Sequence, residues 1–129
     1  MNFVQYFTNV FPNLDGNKTT ILESDSALLS VNSITICNKS DNTIRVNLLK
    51  NIVVGTKNSE AFLVNNLEVE ARNKSTVNLV SLFGLEIFLP AIQDGEQINT
   101  SRLVCFSNGT TQKFDVVVDY TKFIETNIL

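Results

Sequence analysis

The stretch ITICNKSDNTIRVNLL, Ile34 to Leu49, decides the fold. Ile34 and Ile36 precede a polar break, and Ile44, Val46 and Leu48 follow it, so an apolar side chain recurs at every second position. Successive side chains of a strand point to opposite faces, and this period gives each segment one apolar face and one polar face. A helix would need spacings of three and four. The break, Asn38-Lys39-Ser40-Asp41-Asn42, is rich in residues whose side chains bond nearby backbone and tolerate turn dihedrals. The stretch therefore predicts a strand over Ala27 to Cys37, with Thr43 to Lys50 as its hairpin partner.

The same period spreads outward. Gln97 to Ser107 and Gln112 to Ile124 read as a second hairpin about Asn108-Gly109-Thr110, an Asn-Gly pair suited to a tight turn. In its last strand Phe114, Val116, Val118 and Tyr120 take one face, and Asp115, Val117, Asp119 and Thr121 the other. Glu60 to Ala71 is extended, with its alternation broken at Asn65-Asn66 by a bulge or a tight turn. Thr76 to Val80 and Leu85 to Leu89 are short strands, the second closed by Pro90. Many short strands separated by turns imply an all-β fold: an antiparallel β-sandwich of the jelly-roll or Ig-like kind, with a small closed barrel as the alternative.

The opening segment is ambiguous. Phe3, Tyr6, Phe7 and Val10 fall at helical spacing before Pro12 and the turn Asn13-Leu14-Asp15-Gly16, which predicts a short helix. The same residue types form strands, so an extended arm fits as well. The division expected is an N-terminal arm over 1–19 and a β-sandwich domain over 20–129.

At 129 residues the chain suits one core. A net charge of −3 without clustered Lys or Arg opposes binding to nucleic-acid phosphates. The start lacks the basic opening and apolar run of a signal peptide, and no later segment is apolar enough to span a bilayer, so a cytoplasmic site of synthesis, reduced thiols and no membrane are expected. Asn38, Asn73 and Asn108, each in an Asn-x-Ser/Thr triplet, then read as turn chemistry rather than glycan sites.

Reactive constellations are scarce. The sequence has no histidine, which removes Ser-His-Asp and Cys-His arrangements and imidazole metal sites. Cys37 and Cys105 lack metal-ligand spacing and read as small, partly buried strand residues. Asp94-Gly95-Glu96 reads as a turn, and Glu68 and Glu70 as a solvated strand face. The five glycines, Gly16, Gly55, Gly84, Gly95 and Gly109, stand singly and form no phosphate loop. No catalytic, cofactor or metal residue is expected. Phe3, Tyr6, Phe7, Phe11, Phe83 and Phe88 are the candidate partner-binding residues, since aromatics outside the best strands either finish the core or anchor an interface.

The C-terminal half, NLVSLFGLEIFLPAIQDGEQINTSRLVCFSNGTTQKFDVVVDY, resembles the small β-sandwich virion proteins of tailed bacteriophages. The shared pattern is the strand Ser33 to Leu48, the turn Asp94-Gly95 and the final segment Arg102 to Tyr120, within a likeness covering Leu29 to Glu125. Leu82 to Ile92 and the aromatic opening lie outside it. The resemblance implies a structural subunit without enzymatic activity, in the neck, tail or capsid surface, assembled in the bacterial cytoplasm as a homo-oligomeric ring or array. Its expected partners are other virion proteins, met through sheet edges and aromatic segments. A host-attachment or carbohydrate-binding module on the tail is the alternative, weakened by the absence of Trp and the presence of only two Tyr as stacking platforms.

Overall fold

A computed structural model describes residues 2–24, 28–71, 76–78, 87–89, 92–93, 96–97 and 100–125. The strands are β1 (Asn2–Leu14), β2 (Thr19–Ser24), β3 (Leu28–Cys37), β4 (Ile44–Val54), β5 (Lys57–Val69), β6 (Thr76–Asn78), β7 (Ile87–Leu89), β8 (Ile92–Gln93), β9 (Glu96–Gln97), β10 (Thr100–Ser107) and β11 (Phe114–Glu125). Among the described residues there is no helix. One sheet runs β1-β11-β3-β6, with β7 also paired to β3, and the second runs β2-β10-β4-β5; β8 and β9 form a separate small ladder.

The antiparallel pairs are nested: β1 with β11, β2 with β10, β3 with β6 and β7, and β4 with β5. Rolling such a long nested hairpin so that β11 meets β3 and β10 meets β4 makes a jelly roll, the first of the two sandwich types expected.

The inward faces are those the alternation marks. Ile34, Ile36, Ile44, Val46, Leu48, Phe114, Val116 and Val118 are all buried, joined by Ile21, Leu103 and Cys105. Each large apolar side chain so buried contributes about 1.5–3 kcal/mol relative to exposure. Among the described residues every buried side-chain nitrogen or oxygen has a hydrogen-bond partner, the buried Asn38, Asn47 and Asn51 included.

Neither expected hairpin forms. β3 lies in the first sheet and β4 in the second; β10 lies in the second and β11 in the first. Residues 38–43 and 108–113 are crossovers between sheets. Packed sheets stand about 10 Å apart, twice the spacing of paired strands, and these links are long enough to cross that gap. A hairpin does form between β4 and β5, where Val54 and Lys57 are register partners about Gly55-Thr56 and Gly55 has φ +60°. Nor is the first break wholly a surface turn, because Asn38 is buried. Its amide Nδ2 lies 2.8 Å from the Asn42 carbonyl, 3.0 Å from that of Val69 and 2.8 Å from that of Glu70, while its Oδ1 accepts from the Ser40 N–H at 2.9 Å.

The opening segment takes the extended alternative, and it is laid into the first sheet as the edge strand β1. Its register with β11 runs from Asn2 opposite Glu125 to Leu14 opposite Phe114, with one bulge between Phe11 and Leu14. Pro12, which has no N–H to offer a ladder, falls inside that bulge. Asn13 takes φ 56° there, and its N–H donates to Asp115 Oδ1 at 3.0 Å. A second bulge answers the Asn65-Asn66 break: Val46 faces Leu67 but Leu48 faces Val64, and Asn66 has φ 58°. The Asn66 N–H, diverted from the ladder, donates to Asn47 Oδ1 at 2.8 Å.

Candidate functional site

Directly opposed residues of an antiparallel ladder share a face, so the registers assign the outer surface of the first sheet. One row across three strands is Val4, Phe123 and Leu28. All three are exposed, at 42%, 41% and 37%. A second row is Thr8, Asp119 and Ser33, and a third is Val10, Val117 and Thr35. Tyr6, opposite Thr121, is the most exposed large side chain here at 75%, and Val10 follows at 63%.

The polar row between the apolar rows is satisfied from within. Thr8 Oγ1 donates to one Asp119 oxygen, and Ser33 Oγ to the other at 2.8 Å. These two hydroxyls hold the Asp119 carboxyl below the ordinary aspartate value, so it stays charged. At the bulge where the β3–β11 register shifts after Asp119, Asn32 Nδ2 donates to Thr121 Oγ1 at 2.9 Å. The face thus offers apolar contact around the anchored Asp119 charge, while Asp115, further along the same face, is paired with Lys39 Nζ at 3.0 Å.

The candidate aromatics divide. Tyr6 lies on the outer face. Phe7 is turned to the other face, its ring stacked on Tyr120 with centroids 5.4 Å apart, yet it remains exposed because no strand flanks it on its free side among the described residues. Phe11 packs half-buried against the core. Phe3 and Phe88 are placed by backbone alone, opposite Ile124 and Ser30. Phe83 lies outside the described residues. Val4, Val10, Leu28 and Phe123 belong to the surface but were missed, since a search for aromatics outside strands passes over aliphatics and over an aromatic inside one. Period-two reading of β1, with Val4, Tyr6, Thr8 and Val10 on one side, is the signal that finds the first two.

The second sheet exposes Phe62, tilted against Phe106 at 6.4 Å between centroids, with Lys18 Nζ 5.7 Å above the Phe106 ring. Beside the β5 bulge an open cleft of about 520 Å³ is lined by Arg45, Asn65, Asn66 and Glu68 among others, and Arg45 and Glu68 are paired across it at 2.6 Å. Glu68 and Glu70 are exposed as expected. Asp94 and Gly95 lie outside the described residues. Cys105 is buried, and burial pushes its thiol up to about 12, which withholds the thiolate a nucleophile requires. Cys37 is half-buried. Among the described residues no three acidic, Cys or His side chains gather as a metal site.

No protein-family model and no curated protein matches the chain. Solved structures do. The chain is similar to the structure of the infectious bursal disease virus Gx strain, with a TM-score of 0.61 at 9% identity over 98% of this chain and 33% of that one. It is also similar to the infectious bursal disease virus VP2 subviral particle, with a TM-score of 0.58 at 8% identity over 96% of this chain and 33% of that one. T=1 particles derived from the same virus match at 0.51 and 8%, over 95% of this chain and 35% of that one. The chain therefore spans about a third of the length of each matched chain. At such identities the likeness is one of fold, and it extends to nearly the whole sandwich, β1 included.

Proposed function

We propose that this chain is a non-enzymatic virion structural protein, a repeated subunit that joins neighbouring particle proteins through a sheet edge and an apolar sheet face. The observation that carries the reading is the first sheet's outer surface: Val4, Tyr6, Val10, Leu28 and Phe123 stand exposed around a polar row that has already satisfied itself. Exposed apolar groups gathered on one face mark an interaction surface. That the matched structures are of virus particles supports a particle as its setting. The finer placement we propose is the neck, tail or decorated shell of a tailed phage, assembled in the bacterial cytoplasm, and it rests on the sequence resemblance.

Quantitative mass spectrometry of purified particles tests this. Many copies per particle, in a ratio set by a ring or shell, are expected. Absence from purified particles overturns the reading, as does substrate turnover by the isolated chain.

A further inference from the structure

The two sheets have four edges, and three are blunted in the ways that keep edges from pairing. β2 is six residues long and carries Glu23. β5 carries Lys57, Glu60 and Glu68 and is broken by the Asn65-Asn66 bulge. β6 and β7 have three residues each. β1 has none of these protections: its 13 residues, NFVQYFTNVFPNL, contain no charge, and its only interruption, Pro12 with the bulge at Asn13, falls near the end.

Phe3 to Phe11, FVQYFTNVF, is also a palindrome in side-chain chemistry. About Phe7, Phe3 answers Phe11, Val4 answers Val10, Gln5 answers Asn9 and Tyr6 answers Thr8. An antiparallel pair of identical strands obeys this symmetry, because a two-fold axis places residue 7 opposite itself and each residue opposite its mirror position. The palindrome ends where Pro12 removes the next N–H.

We infer that β1 pairs with β1 of a second copy of this chain, antiparallel about a two-fold axis at Phe7, fusing the two first sheets into one. The inference rests on the proposed role as a repeated subunit and names what this edge takes. On the outer face, Val4 of one copy lies beside Val10 of the other, so the row Leu28-Phe123-Val4 continues into Val10-Val117. On the inner face the two Phe7 rings meet, each already stacked on its own Tyr120, which accounts for an inward-turned Phe that is 40% exposed. The anchored Asp119 charges fall in different rows, since Thr8 is continued by Tyr6 and not by another Thr8. Pairing therefore opposes no like charges.

Sedimentation of the intact chain tests the pairing and its register. The wild type is expected to be a dimer. Val4→Lys with Val10→Lys opposes like charges twice across the axis and should raise the dimer dissociation constant about tenfold or more. Val4→Lys with Val10→Glu opposes Lys to Glu twice and should remain a dimer. Val4 and Val10 are exposed, so both variants should fold, with circular dichroism as the check. A monomeric wild type overturns the inference, and so does a Lys/Glu variant as monomeric as the Lys/Lys one. Should a variant misfold, hydrogen exchange of the wild type decides: amides within Phe3 to Phe11 must gain protection as concentration rises, and unchanged exchange overturns the pairing. A monomer abundant in particles would refute this interface and leave the structural role standing, whereas a dimer absent from particles would do the reverse.

Discussion

Asn38 donates its side-chain amide to the Val69 carbonyl at 3.0 Å, tying the first crossover between sheets to the end of β5. With the Asn42 and Glu70 carbonyls also in range, the two N–H groups of one amide serve three acceptors. Asn38→Ala strands buried carbonyls and should cost roughly 1–3 kcal/mol in chemical denaturation. Asn38→Asp keeps the acceptor for Ser40 but brings a charge without donors against the same carbonyls, so it should cost at least as much. A fully stable Asp variant would show that the amide is not what holds the crossover.

Two glycines are required for different reasons. A Cβ on Gly16 would stand 2.9 Å from the Gly109 carbonyl carbon, and backbone on both sides cannot yield cheaply. Gly16→Ala should cost about 1–3 kcal/mol. Gly55 has open space but sits at φ +60° in the β4–β5 turn, and its alanine should cost about 1–2 kcal/mol of left-handed strain. Gly109→Ala meets only the flexible Gln112 side chain, at 3.4 Å, and should stay within about 0.5 kcal/mol of wild type. Thermal midpoints of the three variants check the order.

Asp119 predicts a pH dependence. Bonds from Thr8 and Ser33 lower its folded-state pKa below the unfolded one. The stability it contributes is therefore fully present above the ordinary aspartate value of about 3.9, and it is lost as pH falls through the lowered folded value. Asp119→Asn should flatten that part of the acid stability profile, and Thr8→Val should flatten it partly. An unchanged profile in both variants would remove Asp119 from the titration.

The limits of reading the sequence have a physical cause. Alternation at Ile34, Ile36, Ile44, Val46 and Leu48 states which face is buried, and burial is what the core enforces. It does not state which strand lies alongside. The links 38–43 and 108–113 carry the turn residues a hairpin would use, yet each spans six residues between strand ends, against two at Gly55-Thr56. Link length separates a crossover from a hairpin, and turn composition does not. β1 was obscured differently: Phe3, Tyr6, Phe7 and Val10 satisfy a helical stripe, while Val4, Tyr6, Thr8 and Val10 satisfy a strand face, and only the ladder along β11 decides. Leu28 and Phe123 became part of the surface through that same ladder, since nothing local in the sequence sets them beside Val4.

The outer faces of the two sheets should separate stability from assembly. On the second sheet Phe62 is register partner to Leu49, which is itself partner to Val104, and both of these are buried beside it. Phe62→Ser uncovers them and should lower stability by about 1–2 kcal/mol while leaving particle incorporation intact. On the first sheet Tyr6 is 75% exposed, whereas Phe123, at 41%, also covers part of its row partners Val4 and Leu28. Tyr6→Ser should stay within about 0.5 kcal/mol of wild type, and Phe123→Ser should cost about 1 kcal/mol. If these side chains anchor a partner, each loss should cost the interface about 2 kcal/mol, roughly thirty-fold in affinity. Incorporation in a mixed assembly with the wild-type chain reads this directly. Tyr6→Ser and Phe123→Ser subunits entering particles as readily as wild type, with Phe62→Ser excluded, would move the interaction surface to the other side of the sandwich.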